Sequence, residues 1–205
     1  MLRRTQRIGL SVGAAATLVV AALLVPQAAH ADTSETAPET VQSVMPMEVA
    51  YYDEEVAAAH GFQLVTDENG ETRSIPVTDG ARALLADGST SPEGTVTPFD
   101  TVVGNCGQSW LNGSKGANDV VSFTTGYSVR AAVTGHQWRV SAVGAITSGE
   151  RNYAQGAGPA VWSTSGTTTA IGPGWAIVPP LSPFGMVTLV DGSVCYSGGP
   201  SFWFG

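Results

Sequence analysis

Basic side chains are the scarcest class in this chain. Nine lysines and arginines stand against 17 acids in 205 residues, and only 13% of the residues are charged. That balance excludes a nucleic-acid ligand, because a phosphate backbone is bound by a Lys/Arg surface. Histidine and cysteine are also few, at three and two. A histidine-rich metal cluster is excluded on that count, and no Gly-x-Ser-x-Gly elbow, phosphate loop or dinucleotide fingerprint occurs. No metal or cofactor is therefore expected. Long helical periodicity is missing too, and 25 glycines and 12 prolines break the chain often. A coiled coil and a multi-span membrane protein are excluded. A hydrophobic content of 43% excludes a wholly disordered chain.

What is present begins with an address. Arg3, Arg4 and Arg7 form a basic start, Ile8 to Val25 an apolar run, and Ala29-His30-Ala31 a site with small residues at the two positions a signal peptidase reads. A run of this length just suffices to span a bilayer, but Pro26 and the Ala-x-Ala site favour cleavage. Residues 1–31 are thus expected to be a signal peptide, and the mature protein to begin Asp32-Thr33-Ser34. The expected location is secreted or cell-surface, with the membrane met only during export.

The remaining charge is uneven. Residues 32–100 hold 14 acids against Arg73 and Arg82, whereas residues 101–205 hold Asp119, Glu150 and Asp191 against Lys115, Arg130, Arg139 and Arg151. All five tryptophans and 12 of the 16 aromatic residues lie after residue 100. This step suggests a small α+β or partly disordered acidic lead-in, 32–100, followed by a separate domain, 101–205. Within the lead-in, Asp32 to Met45 reads as a polar spacer. Pro46 is placed to open a helix running through Glu48 to His60, with Val49, Tyr52, Val56 and Ala59 as its apolar stripe and Gly61 as its C′ residue. Phe62–Val65 and Arg73–Val77 flank Asp67-Glu68-Asn69-Gly70, a hairpin signal. Asp79 is expected to cap a short helix over Ala81–Ala86, and Ser89–Gly94 reads as a linker. This region fits a docked subdomain, a spacer or a pro-segment.

From Thr101 the pattern changes to short β-prone runs between glycines. Trp138, Val140, Ala142, Gly144 and Ile146 alternate with their neighbours as one face of a strand. Many short strands of this kind indicate a mainly β fold, an Ig-like or similar antiparallel β-sandwich. Residues from about Pro98 to Gly205 are expected to fold without the acidic segment. Cys106 and Cys195 frame this domain in a chain addressed to export, so they are expected to pair. Neither has a basic neighbour in sequence to activate a thiolate.

Two fragments invite a catalytic reading. Ala57-Ala58-Ala59-His60 resembles the surroundings of the catalytic histidine in chymotrypsin-like proteases, and Ser197-Gly198-Gly199-Pro200 resembles those of the serine. Asp119 would then serve as orienting carboxylate. The family's Gly-Asp before the serine is Cys195-Tyr196 here, and too little chain lies before His60 and after Ser197 for that fold. Paired carboxylates would have to come from Asp119, Glu150 and Asp191, none in a motif. His136, at the start of a β-run, reads as a turn or edge residue. No catalytic residue is assigned.

As a whole the chain resembles small secreted proteins of high-GC Gram-positive (actinobacterial) bacteria. The resemblance rests on the Ala-rich signal, the acidic lead-in, Gly104-Asn105-Cys106-Gly107-x-Ser109-Trp110 and Cys195-Tyr196-Ser197-Gly198-Gly199-Pro200. It implies a location and a fold, and no particular activity. The favoured function is a secreted, non-catalytic β-domain with a surface or extracellular binding role. The alternative is a secreted hydrolase of wall or environmental polymers. Trp110, Trp175 and Trp203 lie beside glycine, proline or other turn residues and are the candidate binding side chains. The expected partners are a cell-wall polysaccharide or another surface protein.

Overall fold

Alternating side chains and glycine-marked turns build twelve strands and two α-helices among the residues described, 41–88 and 104–205, in a computed structural model. The expected signal segment 1–31, residues 32–40 and the linker at Ser89–Gly94 lie outside the described residues. Strand β1 (Val41–Tyr52) leads to helix α1 (Glu54–Ala59), strands β2 (Phe62–Thr66) and β3 (Thr72–Pro76), and helix α2 (Asp79–Gly88). Then follow β4 (Gly107–Lys115), β5 (Val120–Val129), β6 (Val133–Gly144), β7 (Ser148–Gln155) and β8 (Val161–Thr169). The chain ends with β9 (Gly174–Ile177), β10 (Gly185–Leu189), β11 (Ser193–Ser197) and β12 (Ser201–Phe204).

Ten strands form one sheet, ordered β12-β9-β6-β10-β11-β1-β4-β5-β8, with β7 also paired to β6; β2 and β3 form a separate hairpin. The twelve-residue β6 organises one end. Its first half pairs with β10, its last four residues pair with β9, and β7 runs along its other edge. All of these pairings are antiparallel, and the sheet folds over on itself. Phe202 of β12 lies under Gly113 of β4, where an added Cβ would stand 2.5 Å from the ring. Tyr153 of β7 meets Trp162 of β8 with ring centroids 5.8 Å apart. The result is the mainly β, antiparallel sandwich that the short runs imply. Leu111, Phe123, Tyr127, Trp138, Val187 and Phe202 are among the buried side chains between its layers.

The lead-in departs from expectation. Val41–Tyr52 is a strand rather than spacer and helix, and it sits inside the sheet between β11 and β4. Met45, Met47 and Val49 recur at period two in the same segment that carries the helical stripe. Burial of Met47 against the core outweighs the local preference. Pro46 is tolerated because its carbonyl accepts from Gly198 N at 2.9 Å, just past the end of β11. In a strand the N–H of a residue points the same way as its carbonyl, so the missing donor also falls beyond the ladder.

The helix begins only at Glu54. Asp53 Oδ1 accepts from Val56 N at 3.0 Å, an N-cap with Glu54 and Glu55 in the first turn. Gly61, at φ +79°, follows the helix. In the β2–β3 loop, Asp67 Oδ1 accepts from Asn69 N and Glu71 N, so this carboxylate organises the turn. The second helix is capped by Thr78, whose Oγ1 accepts from Ala81 N at 3.1 Å. Asp79, the expected cap, instead pairs with Arg82.

Cys106 and Cys195 form a disulfide with Cα atoms 6.2 Å apart. The two strands it joins are not neighbours. Cys195 lies opposite Val49 of β1, and Cys106 N donates to Met47 O of the same strand. The bond therefore ties β11 to the start of β4 across β1.

Candidate binding faces

The position of each tryptophan follows from strand parity. On β4, Ser109, Leu111 and Gly113 face inward, so Trp110 faces out. On β12, Phe202 and Phe204 face inward and Trp203 faces out. Because Phe202 packs beneath Gly113, Trp110 and Trp203 point away from each other, onto opposite outer faces of the sandwich. The three candidate residues thus form two sites rather than one.

One face carries Trp175 and Trp203, opposite each other in the β9–β12 pair. They are 52% and 50% exposed, with ring centroids 5.2 Å apart and planes inclined at 66°. Exposed Val143 continues the row on β6, opposite Trp175. Beside it, Arg139 lies over the Phe184 ring at 3.7 Å and pairs with Glu150. The face is an apolar strip beside one ion pair.

The other face belongs to β4, β5 and β8. Trp110 is half-buried and opposes Gly126, where an added Cβ would stand 2.5 Å from ring atom Cζ2 and 2.9 Å from Cε2. The indole therefore lies across the sheet rather than standing off it. Next along the strands come two hydroxyl- and amide-bearing rows, Asn112–Thr124–Ser165 and Ser114–Ser122–Thr167. They line a shallow depression of ≈ 690 Å³. Thr124 Oγ1 and Ser165 Oγ share a hydrogen bond of 3.0 Å. The carboxamide oxygens of Gln108 and Asn112, two positions either side of Trp110, are buried and accept no hydrogen bond within the protein. Sequence reasoning named Trp110 and missed these rows. Their signal is a run of Ser and Thr at spacing two, in Ser122–Thr124 and Ser163–Ser165–Thr167, with no charge between.

The catalytic candidates are dispersed. Ser197 is buried, with its Oγ 2.9 Å from Ser109 Oγ and accepting from Gly199 N. His60 Nδ1 donates to Val56 O in its own helix, and Asp119 pairs with Lys115 at 2.9 Å. The other two acids of the C-terminal region are likewise taken, Glu150 by Arg139 at 3.0 Å and Asp191 by Arg130 at 2.8 Å. Each acid thus has its own cation. Among the described residues no group of His, Cys, Asp and Glu is arranged to hold a metal ion.

His136 is a core residue and not the turn or edge residue expected. It is 4% exposed, and its Nδ1 shares a 2.8 Å hydrogen bond with the Tyr127 hydroxyl. Trp162 packs on it at 4.4 Å between ring centroids, and its Nε2 has no protein partner. Burial holds the His136 imidazole below its ordinary range and pushes the Tyr127 phenol well above its own. Both groups stay neutral near pH 7. Trp138 Nε1 donates to Thr125 Oγ1, which donates to Trp110 O, so the polar atoms of this aromatic centre are largely paired.

Among the described residues no helix is long and apolar enough to cross a membrane. Comparison of the chain with known protein families, with curated proteins and with solved structures finds no match.

Proposed function

We propose that this protein is a secreted, non-catalytic β-domain that binds a polymer or another protein at the cell surface. The observation that carries the reading is the outward orientation of Trp110, Trp175 and Trp203. Tryptophan is a large hydrophobic side chain that ordinarily contributes to a core, and here three stand on sheet faces. Contiguous exposed apolar patches mark interaction surfaces, and Trp175, Trp203 and Val143 form one. The disulfide is compatible with an oxidising, extracellular setting, and the basic start, apolar run and Ala29-His30-Ala31 site support export. Asp119, Glu150 and Asp191 each pair with a different cation, which does not favour them as the carboxylate pair of the hydrolase alternative.

Retention of the chain on insoluble cell-wall material tests the reading. A triple variant, Trp110→Ala, Trp175→Ala and Trp203→Ala, is expected to lose retention while keeping an unfolding midpoint close to that of the parent. A triple variant that is retained as well as the parent removes the basis of the proposal.

A further inference from the structure

We infer that the β4–β5–β8 face is a platform for an uncharged polysaccharide, whose chain stacks on Trp110 and hydrogen-bonds to the rows of Asn112, Thr124 and Ser165 and of Ser114, Ser122 and Thr167. This rests on the binding reading above and assigns it a ligand class and a face.

The first argument is neutrality. No outward side chain on β4 from Gln108 to Ser114, on β5 from Ser122 to Ser128, or on β8 from Ser163 to Thr167 is charged. Solvated sheet faces usually carry Lys and Glu. Here the positions are taken by Ser, Thr, Asn, Gln and one Trp, groups that both donate and accept hydrogen bonds without imposing a field. Such a face matches a polyhydroxylated partner, and Arg151, the cation at its β8 edge, has its Nε committed to Thr167 O.

The second argument is the posture of the indole. Gly126 leaves the space into which the Trp110 ring lies down, and the neighbouring strand backbone fixes that seat: a Cβ at 126 would also meet Trp162 O at 2.2 Å. A ring laid along a sheet presents a face, which suits the apolar C–H face of a sugar ring. The Trp175–Trp203 pair, with planes at 66°, offers no common plane. The third argument is the supply of partners beside the ring. Antiparallel pairing sets the hydroxyl rows across adjacent strands at about 4.8 Å intervals.

Affinity electrophoresis of the full chain through gels containing a soluble β-glucan, a galactomannan or an amylose-type α-glucan, with polygalacturonate as the charged control, tests this. Retardation by at least one uncharged polysaccharide is expected, undiminished by added salt because no charge is screened. Trp110→Ala is expected to restore free mobility, and Thr124→Ala with Ser165→Ala to weaken binding at least tenfold. Ser165 is exposed and Thr124 half-buried on the outer face, so this variant keeps the test decisive even if the Trp110 variant unfolds. Ile146→Ala, exposed between β6 and β7 and outside both tryptophan faces, is expected to be retarded like the parent. Retardation by polygalacturonate alone, or unchanged retardation of both β4–β5–β8 variants, overturns the inference. A chain retained by cell-wall material but by none of the three uncharged polysaccharides overturns it while leaving the broader binding reading intact; retention by neither removes both.

Discussion

His136 shows what a single buried titratable group does to this fold. Its imidazole is held neutral by burial among Tyr127, Trp138 and Trp162, with only the Tyr127 hydroxyl as polar partner. In the unfolded chain the same group takes up a proton near pH 6.5. Below that pH the unfolded state binds more protons than the folded one, so stability falls as the solution is acidified and is fully present above it. At pH 5.5 this one residue therefore leaves the fold less stable than at pH 7.5. Urea unfolding at pH 7.5 and 5.5 is expected to show that difference in the parent and a smaller one in His136→Gln, whose carboxamide can still meet Tyr127. An equal gap in both proteins would mean that His136 titrates in the fold as it does in water. Sequence placed this histidine at a strand start beside Gly135 and so on an edge. Nothing local says that the sheet closes over it, because Tyr127 and Trp162 arrive from β5 and β8.

At the scale of elements, β1 decides the architecture. It lies between β11 and β4 and pairs with both, so a chain that starts at Pro98 would leave two facing strand edges and the buried side of Met47 unfilled. Such a fragment is expected to give no cooperative unfolding transition, and a synthetic peptide of residues 36–60 added in trans is expected to restore one. Cooperative unfolding of the fragment alone would show that β11 and β4 can meet without β1. Much else at this scale was legible. The alternation around Trp138 gave β6, and Asn69-Gly70 gave the β2–β3 hairpin. The rest was hidden for identifiable reasons. In β7 nearly every side chain is exposed or half-exposed, so Ser148–Gln155 has no apolar period to read. In β1 two periods coincide on Val49, and the choice between them is made by strands more than fifty residues away. Of the candidate site, the tryptophans were visible one by one; their division onto two faces depends on the sandwich folding over.

The whole molecule is closed by its longest link. The charge step near residue 100 marks a change in surface composition rather than an edge of the fold: the acids of β1 and α1 sit outward while Met47 and Ala57 enter the common core. The described residues accordingly belong to one compact unit. Within it, contacts between β1 and β11 join segments far apart in sequence, an arrangement that is slow to form and depends on closing large loops. The Cys106–Cys195 bond spans 89 residues and pre-closes the largest loop within residues 104–205. On the chain-entropy account it removes about 4–5 kcal/mol of freedom from the unfolded state. It also holds β11 and the start of β4 at the spacing β1 needs in order to pair with both, so its loss should fall on the centre of the sheet. A Cys106→Ala, Cys195→Ala variant is expected to lose about 2–5 kcal/mol in denaturant unfolding. Amide exchange should quicken first in β1 and β11, while the β5–β8 pair keeps its protection. If stability changed by less than about 1 kcal/mol, or if β5 and β8 opened together with β1, the bond would not be what holds the central strand in place.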